Sequence, residues 1–232
     1  DPLLKKRSHF VSQHFTSTQQ IEQIATNSPE ILEDIDVCID FSTPEVFFEN
    51  LKILSKNISH FVVGTTGWLQ HIEQVNKLIN ERQLSLLFCA NFSLGVFIFE
   101  QALQKAASLI NKFDNYDVAG LEIHHNQKLD SPSGTAKKIG GTLLKEIERK
   151  SNLHYGSPPY DKQSIGFSSL RLGSEIGSHS VFFDSNEDKI TISHQAKNRH
   201  GFATGAILGA EWIATKPPGF YDSEEFFKEI FL

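Results

Sequence analysis

Ile35-Asp-Val-Cys-Ile-Asp-Phe41, Ser59-His-Phe-Val-Val63 and Leu84-Ser-Leu-Leu-Phe88 are three short apolar runs, and two helical patterns, residues 44–57 and 68–82, stand between them. Near-continuous apolar strands separated by amphipathic helices spell βαβαβ, the order of a parallel sheet covered on both faces. Ligands of such sheets bind beyond the carboxyl ends of the strands. Those ends are Asp40-Phe-Ser-Thr-Pro44, Gly64-Thr-Thr-Gly67 and Cys89-Ala-Asn-Phe-Ser93, all small and polar. Each also has a plainer reading: Thr43-Pro44 opens a helix, Gly64 and Gly67 make a turn, and Asn91 caps a connection. Together they read as the lining of a cofactor cleft.

Beyond Ser93 the pattern changes. Residues 95–112 read as a long helix, 116–123 as a strand, 136–150 as a helix, and 164–172, 177–184 and 189–196 as alternating strands. Asn186-Glu187-Asp188 marks a hairpin turn between the last two. Mostly antiparallel strands with helices on one face predict a second, α+β domain. Residues 201–215 form another helical pattern, followed by Pro217-Pro218-Gly219 and the tail Phe220-Tyr-Asp-Ser223. The fold class expected is therefore α/β, a Rossmann-type parallel-sheet domain followed by an α+β domain.

The stretch Glu122-Ile-His-His-Asn-Gln-Lys-Leu-Asp-Ser-Pro-Ser-Gly-Thr-Ala136 leads from strand through loop into helix. The first N–H groups of a helix lack intrahelical partners, so Gly134 and Thr135 can offer theirs to a carboxylate or phosphate, helped by the helix dipole. Glycine at 134 permits close approach. Ser133 is a natural cap, and Ser-Gly-Thr by itself does no more than cap a helix. Histidine titrates near neutrality and lysine carries a fixed charge, so His124, His125 and Lys128 can attract a dianion and deliver a proton. Adjacent strand residues point to opposite faces; the two histidines share a site only if the strand ends or twists between them. Taken singly, the histidine pair reads more plainly as a surface or packing feature and Lys128 as a solvated side chain. The pair has neither HExxH nor cysteine–histidine spacing, so no metal is expected.

Composition bounds the function. Nineteen phenylalanines among 232 residues supply ample core, enough for one large or two small domains. A net charge of −6 argues against a general nucleic-acid or polyanionic-membrane binder. The sequence contains no run of bilayer-spanning length and no signal peptide, and a cytoplasmic protein is expected. Cys38 and Cys89 each sit within an apolar strand-like run, which predicts reduced, buried thiols.

The segment 122–136 closely resembles the signature of the dihydrodipicolinate reductases, E-x-H-H-x-x-K-x-D-A-P-S-G-T-A, departing from it only at Ser131. The strand ends are similar to that family's D-F-T-x-P, G-T-T-G and A-N-F-S stretches, and 171–181 and 193–203 resemble its substrate and assembly domain. The resemblance implies a dinucleotide-binding domain over 1–92 completed by 200–232, and a substrate-binding and oligomerisation domain over 93–199. It implies NADPH or NADH as cofactor, held by Phe41, Ser42, Gly64, Thr65, Thr66, Cys89, Ala90, Asn91 and Phe92. His124 and Lys128 become the catalytic residues, and His125, Ser133, Gly134 and Thr135 bind a small cyclic imine dicarboxylate. A homotetramer is implied as well. Lys197 and Arg199 are weaker substrate candidates, with surface charge the plainer reading.

The family opens with a first strand and a G-x-x-G-R-M-G loop around the pyrophosphate, and neither stands in this sequence. Two alternatives follow: an N-terminus longer than the one given, or a non-catalytic homologue that binds a dicarboxylate or a protein partner without a dinucleotide. Lys5, Lys6 and Arg7 fall where the family contacts the adenosine ribose and could bind a ribose phosphate, with a solvated basic cluster the plainer reading.

Overall fold

A computed structural model describes residues 17–27, 30–156 and 160–231, so Lys5, Lys6 and Arg7 lie outside the described residues. The chain divides into two compact units, Asp1–Ala90 with Ala206–Leu232, and Asn91–Gly205. The first begins with helices α1 (Thr18–Asn27) and α2 (Glu30–Glu33), then β1 (Val37–Asp40), α3 (Pro44–Leu54), β2 (His60–Val63), α4 (Ile72–Arg82) and β3 (Ser85–Phe88). Pro44 pre-sets the first turn of α3, and Gln83, in the left-handed region at φ 56°, ends α4. β1, β2 and β3 pair in parallel, Val37 opposite His60 and His60 opposite Ser85. Phe47, Leu51, Phe61, Val63, Trp68 and Leu86 pack into the core beside them.

The helix expected over 68–82 is broken at its start by a short 3-10 turn, Leu69–His71. Burial of Trp68 explains the break, because its indole donates to the Thr65 carbonyl at 2.7 Å and packs 4.6 Å from the Phe47 ring. Neither cysteine is in a disulfide; Cys89 is buried, whereas Cys38 is half-buried. Burial, and then the charge of Asp40, push the Cys38 thiol up to about 12.

The second unit contains α5 (Leu94–Ile110), β4 (Asp117–His124), α6 (Gly134–Glu146), β5 (Asn152–Tyr155), β6 (Ser164–Arg171), β7 (Ser178–Asp184) and β8 (Lys189–Gln195). The strand order is β5-β6-β4-β7-β8. The sheet is mixed rather than mostly antiparallel, since β5, β6 and β4 pair in parallel while β4, β7 and β8 pair antiparallel. The reason is the α6 crossover, which returns the chain to β5 and β6 in the direction of β4. β5 escapes sequence reading because Asn152-Leu-His-Tyr155 is only four residues long, too short for its alternation to stand out.

Phe99 and Leu103 of α5 and Ile139 and Leu143 of α6 bury one sheet face with Val118, Ile165, Phe167, Val181 and Phe183. By alternation, Ala119, Leu121, Ile123, Leu170 and Phe182 lie on the other face. The chain then forms α7 (His200–Ile213), β9 (Gly219–Tyr221) and α8 (Ser223–Phe231). β9 pairs in parallel with β3, giving a four-stranded sheet in the order β1-β2-β3-β9. Asp222 accepts from the Glu224 and Glu225 N–H groups while Glu225 accepts from Asp222 N–H, a reciprocal cap that starts α8. The two units meet in the chain at Ala90–Asn91 and again within α7, at Gly205–Ala206.

Candidate active site

In the first unit the carboxyl ends of the parallel strands are cross-tied. Asp40 Oδ1 accepts from the Ser42 backbone N–H at 3.0 Å, the Ser42 hydroxyl at 2.8 Å and the Thr65 hydroxyl at 2.6 Å. Thr65 is buried, so its hydroxyl serves this network rather than a ligand. Phe41 is exposed and lies over Gly64, where a Cβ would fall 2.1 Å from its ring. Thr66 and Ala90 are exposed, whereas the Cys89 and Phe92 side chains are core.

In the second unit β4 ends at His124, and this termination separates it from His125. Glu122 and His124, two apart, share the buried face of the strand. Glu122 is wholly buried, and its Oε1 accepts from the Ser133 N–H at 3.0 Å and the Ser169 hydroxyl at 2.7 Å. Its Oε2 lies 3.3 Å from His124 Nδ1 and 3.6 Å from His179 Nε2, with Arg171 3.8 Å from Oε1. Burial alone would raise the Glu122 carboxyl, but hydrogen bonding to His124, His179, Ser133 and Ser169 outweighs it and holds the group far below the usual carboxylate range.

Ser133 caps α6 through its hydroxyl, which accepts from the Ala136 N–H at 3.1 Å and lies 3.3 Å from His179 Nε2. A Cβ at Gly134 would meet nothing within 4 Å, so the helix start has open space in front of it. Beside it is a cleft of about 50 Å³ lined by Asn91, His124, Thr135, His179 and His194, among others. That volume suits a carboxylate-sized group rather than a whole ring, given about 30 Å³ per water. Asn91 Nδ2 donates to the Thr135 hydroxyl at 3.5 Å, which puts Asn91 beside the helix start. A Cβ at Gly177 would lie 3.0 Å from His124 Nε2, so glycine there gives that nitrogen its room.

His125 and Lys128 stand apart from this cleft lining. His125 is half-buried, and its carbonyl accepts from the Lys128 N–H at 3.1 Å. The Lys128 ammonium pairs with Asp130 at 2.6 Å, and Arg171 braces the same loop by donating to the carbonyls of Lys128 and Asp130. Lys197 and Arg199 are exposed.

Glu122, His179, His194 and Gly177 belong to the site but carried no role in the sequence reading. The signal for Glu122 was available, since period two places it on the face of His124; His179 and His194 meet it only through the pairing of β4, β7 and β8. Among the described residues, buried side-chain polar atoms without a hydrogen bond are Oε2 of Glu122, Nδ1 of His124, His179 and His194, and one Arg149 nitrogen. All but the last lie here, as expected of a functional cluster. Burial, and then the charge of His179, depress the His194 imidazole. Ligand atoms of Glu122, His124 and His179 lie within 4.8 Å of one another, a spacing that would admit a cation. With Arg171 beside the same carboxylate and Oε1 engaged by two donors, the cluster reads as a hydrogen-bonded hub.

A parallel-sheet unit with small polar strand ends, joined to a mixed-sheet unit holding imidazoles beside a capped helix start, is the construction of a dinucleotide-dependent reductase. Comparison with known proteins supplies the particular family. Residues 4–92 match the N-terminus of dihydrodipicolinate reductase and residues 95–227 its C-terminus, and the chain belongs to that family.

It is 35% identical over 198 residues to the 4-hydroxy-tetrahydrodipicolinate reductase of Christiangramia forsetii, covering 85% of this chain and 82% of the relative. The enzyme of the same name from Rickettsia bellii is 33% identical over 222 residues, 95% of this chain and 85% of the relative. A dipicolinate-bound dihydrodipicolinate reductase from Paenisporosarcina sp. TG-14 shares the fold, with a TM-score of 0.62 at 24% identity over 92% of this chain and 81% of that one. No helix among the described residues is long and apolar enough to cross a membrane.

Proposed function

We propose that the protein is a 4-hydroxy-tetrahydrodipicolinate reductase of lysine and diaminopimelate biosynthesis, using NADH or NADPH to form tetrahydrodipicolinate. The observation that carries this reading is His124, buried at the end of β4 and opening into the same cleft as Thr135, beside the capped helix start. Gly134 and Thr135 hold one substrate carboxylate with backbone N–H and hydroxyl donors, and His125 and Lys128 add positive charge at its approach. His124 Nε2 gives its proton to the ring position left electron-rich by reduction. Lys128, tied to Asp130, is better suited to attracting the dicarboxylate than to donating the proton.

The strand ends of the first unit fit the nicotinamide dinucleotide, because Gly64 lacks the Cβ that Phe41 would clash with and Ser42 and Thr66 present small polar groups. Phe41, Ser42, Gly64, Thr65, Thr66, Cys89 and Ala90 would hold it, Thr65 and Cys89 through their backbones. When bound, it supplies the hydride.

The working protein is a cytoplasmic homotetramer in this reading. Its support is the sheet face carrying Ala119, Leu121, Ile123, Leu170 and Phe182, opposite the face covered by α5 and α6.

Activity is tested by substrate-dependent oxidation of NADH and NADPH. His124→Gln should lower kcat by about 10²–10⁴-fold, the usual worth of general-acid catalysis, with cofactor KM little changed. Lys128→Ala should weaken both turnover and dicarboxylate binding. Wild-type kinetics in both variants would remove the assignment.

A further inference from the structure

We infer that Glu122, with His179 as its second contact, is a positioning residue that ties the proton donor to the substrate cradle. The inference rests on the proposed role of His124 as that donor. Glu122 is wholly buried and does not line the cleft, so any effect on substrate must pass through its neighbours. A buried carboxylate is costly unless donors surround it. The two oxygens divide the work. Oε1 takes the Ser133 N–H and the Ser169 hydroxyl and so fixes the residue that caps α6. Oε2 lies 3.3 Å from His124 Nδ1, nearer than His179 Nε2 at 3.6 Å, and no hydrogen bond to another group competes for either Oε2 or Nδ1.

With Nδ1 turned to the carboxylate, Nε2 is the nitrogen that faces Gly177 and the cleft. The imidazolium then loses its proton from Nε2 to the reduced ring. The Nε2–H bond breaks as the new substrate bond to hydrogen forms, and the neutral imidazole keeps Nδ1–H against Glu122. His179 closes the hub: its Nε2 is 3.6 Å from Glu122 Oε2 and 3.3 Å from Ser133 Oγ, and its ring meets His124 edge-on with centroids 5.2 Å apart. Across the β4–β7 pair, Glu122 stands directly opposite His179. Donor orientation and helix start therefore depend on one carboxylate.

Glu122→Gln keeps an acceptor for Ser133 and Ser169 but replaces the oxygen facing His124 with an amide or misorients the pair. Its kcat should fall about 10–100-fold, the range for lost second-sphere orientation, with a raised solvent deuterium isotope effect as proton delivery becomes limiting. The nicotinamide KM should hold. In a His124→Gln background the same change should add less than about two-fold, since residues acting as one unit are non-additive. His179→Asn, which should fold even where a Glu122 variant does not, should show a smaller loss with the same non-additivity. Wild-type turnover in Glu122→Gln and His179→Asn, or losses that multiply with His124→Gln, would overturn the inference while leaving the site reading intact. Wild-type turnover in His124→Gln would remove that reading itself, and the inference with it.

Discussion

The protonation of His194 bears on stability. Burial and the neighbouring His179 depress its imidazole, so the fold favours the neutral form. The unfolded chain binds the proton more readily, and the stability His194 contributes is present above its ordinary value of about 6.5 and is lost as pH falls through the lowered one. Chemical denaturation at pH 7 and pH 5 should show wild type losing more stability than His194→Asn; equal losses would remove the assignment. Glu122 works in the same direction but lower on the scale, because the contribution of its depressed carboxyl is fully present above the usual carboxylate range and is lost progressively as pH falls below it. At this scale, what sequence reading reached was decided by locality. His124, Ser133, Gly134 and Thr135 are neighbours along the chain, and their chemistry follows from residue type and spacing. His179 and His194 come from separate strands, and although 171–181 and 193–203 resemble the family's substrate and assembly domain, their sequence gives neither histidine a role.

At the scale of elements, two glycines in helices behave oppositely. A Cβ at Gly205, in α7, would fall 1.8 Å from the Phe92 carbonyl oxygen, an atom fixed by backbone. Gly205→Ala should therefore cost at least the 1–3 kcal/mol that is about typical of overpacking, read as a lower denaturation midpoint. Gly134 opens α6 with nothing within 4 Å of the same position. Gly134→Ala should leave stability unchanged or raise it by up to about 1 kcal/mol, as alanine lowers the entropy of the unfolded chain. Its dicarboxylate affinity should nonetheless fall, because the methyl takes the space before the helix start. Unchanged affinity by calorimetry would argue that the anion binds elsewhere. The strands β1 to β3 were legible because apolar runs bounded by turn residues are a local signal. β5 and the parallel pairing of β6 with β4 were not, since strand direction is fixed by the α6 crossover rather than by composition.

For the whole molecule, the sheet of the second unit has one face committed to α5 and α6 and the other carrying cross-strand neighbours Ile123 with Leu170 and Ala119 with Phe182. Apolar side chains in register across strands make a surface suited to a second copy. Light scattering coupled to gel filtration should give a tetrameric mass, and Leu170→Lys should lower it; a monomeric wild type would rule the assembly out. Leu170 is 51% exposed in the single chain, so the change itself should leave the protomer folded.

The order of apolar runs and helical patterns, and the string from Glu122 to Ala136, determine the fold class and the family, since both depend on residues close together in the chain. Tertiary structure alone decides that one buried carboxylate joins the imidazoles of β4 and β7 to the cap of α6. It also decides that Asn91 bonds Thr135 at the start of α6, that Lys128 is tied to Asp130, and that β9 completes the first sheet. The physical reason is that a burial cost is met by whichever donors the folded chain brings within hydrogen-bonding distance, and those donors come from strands far apart in sequence.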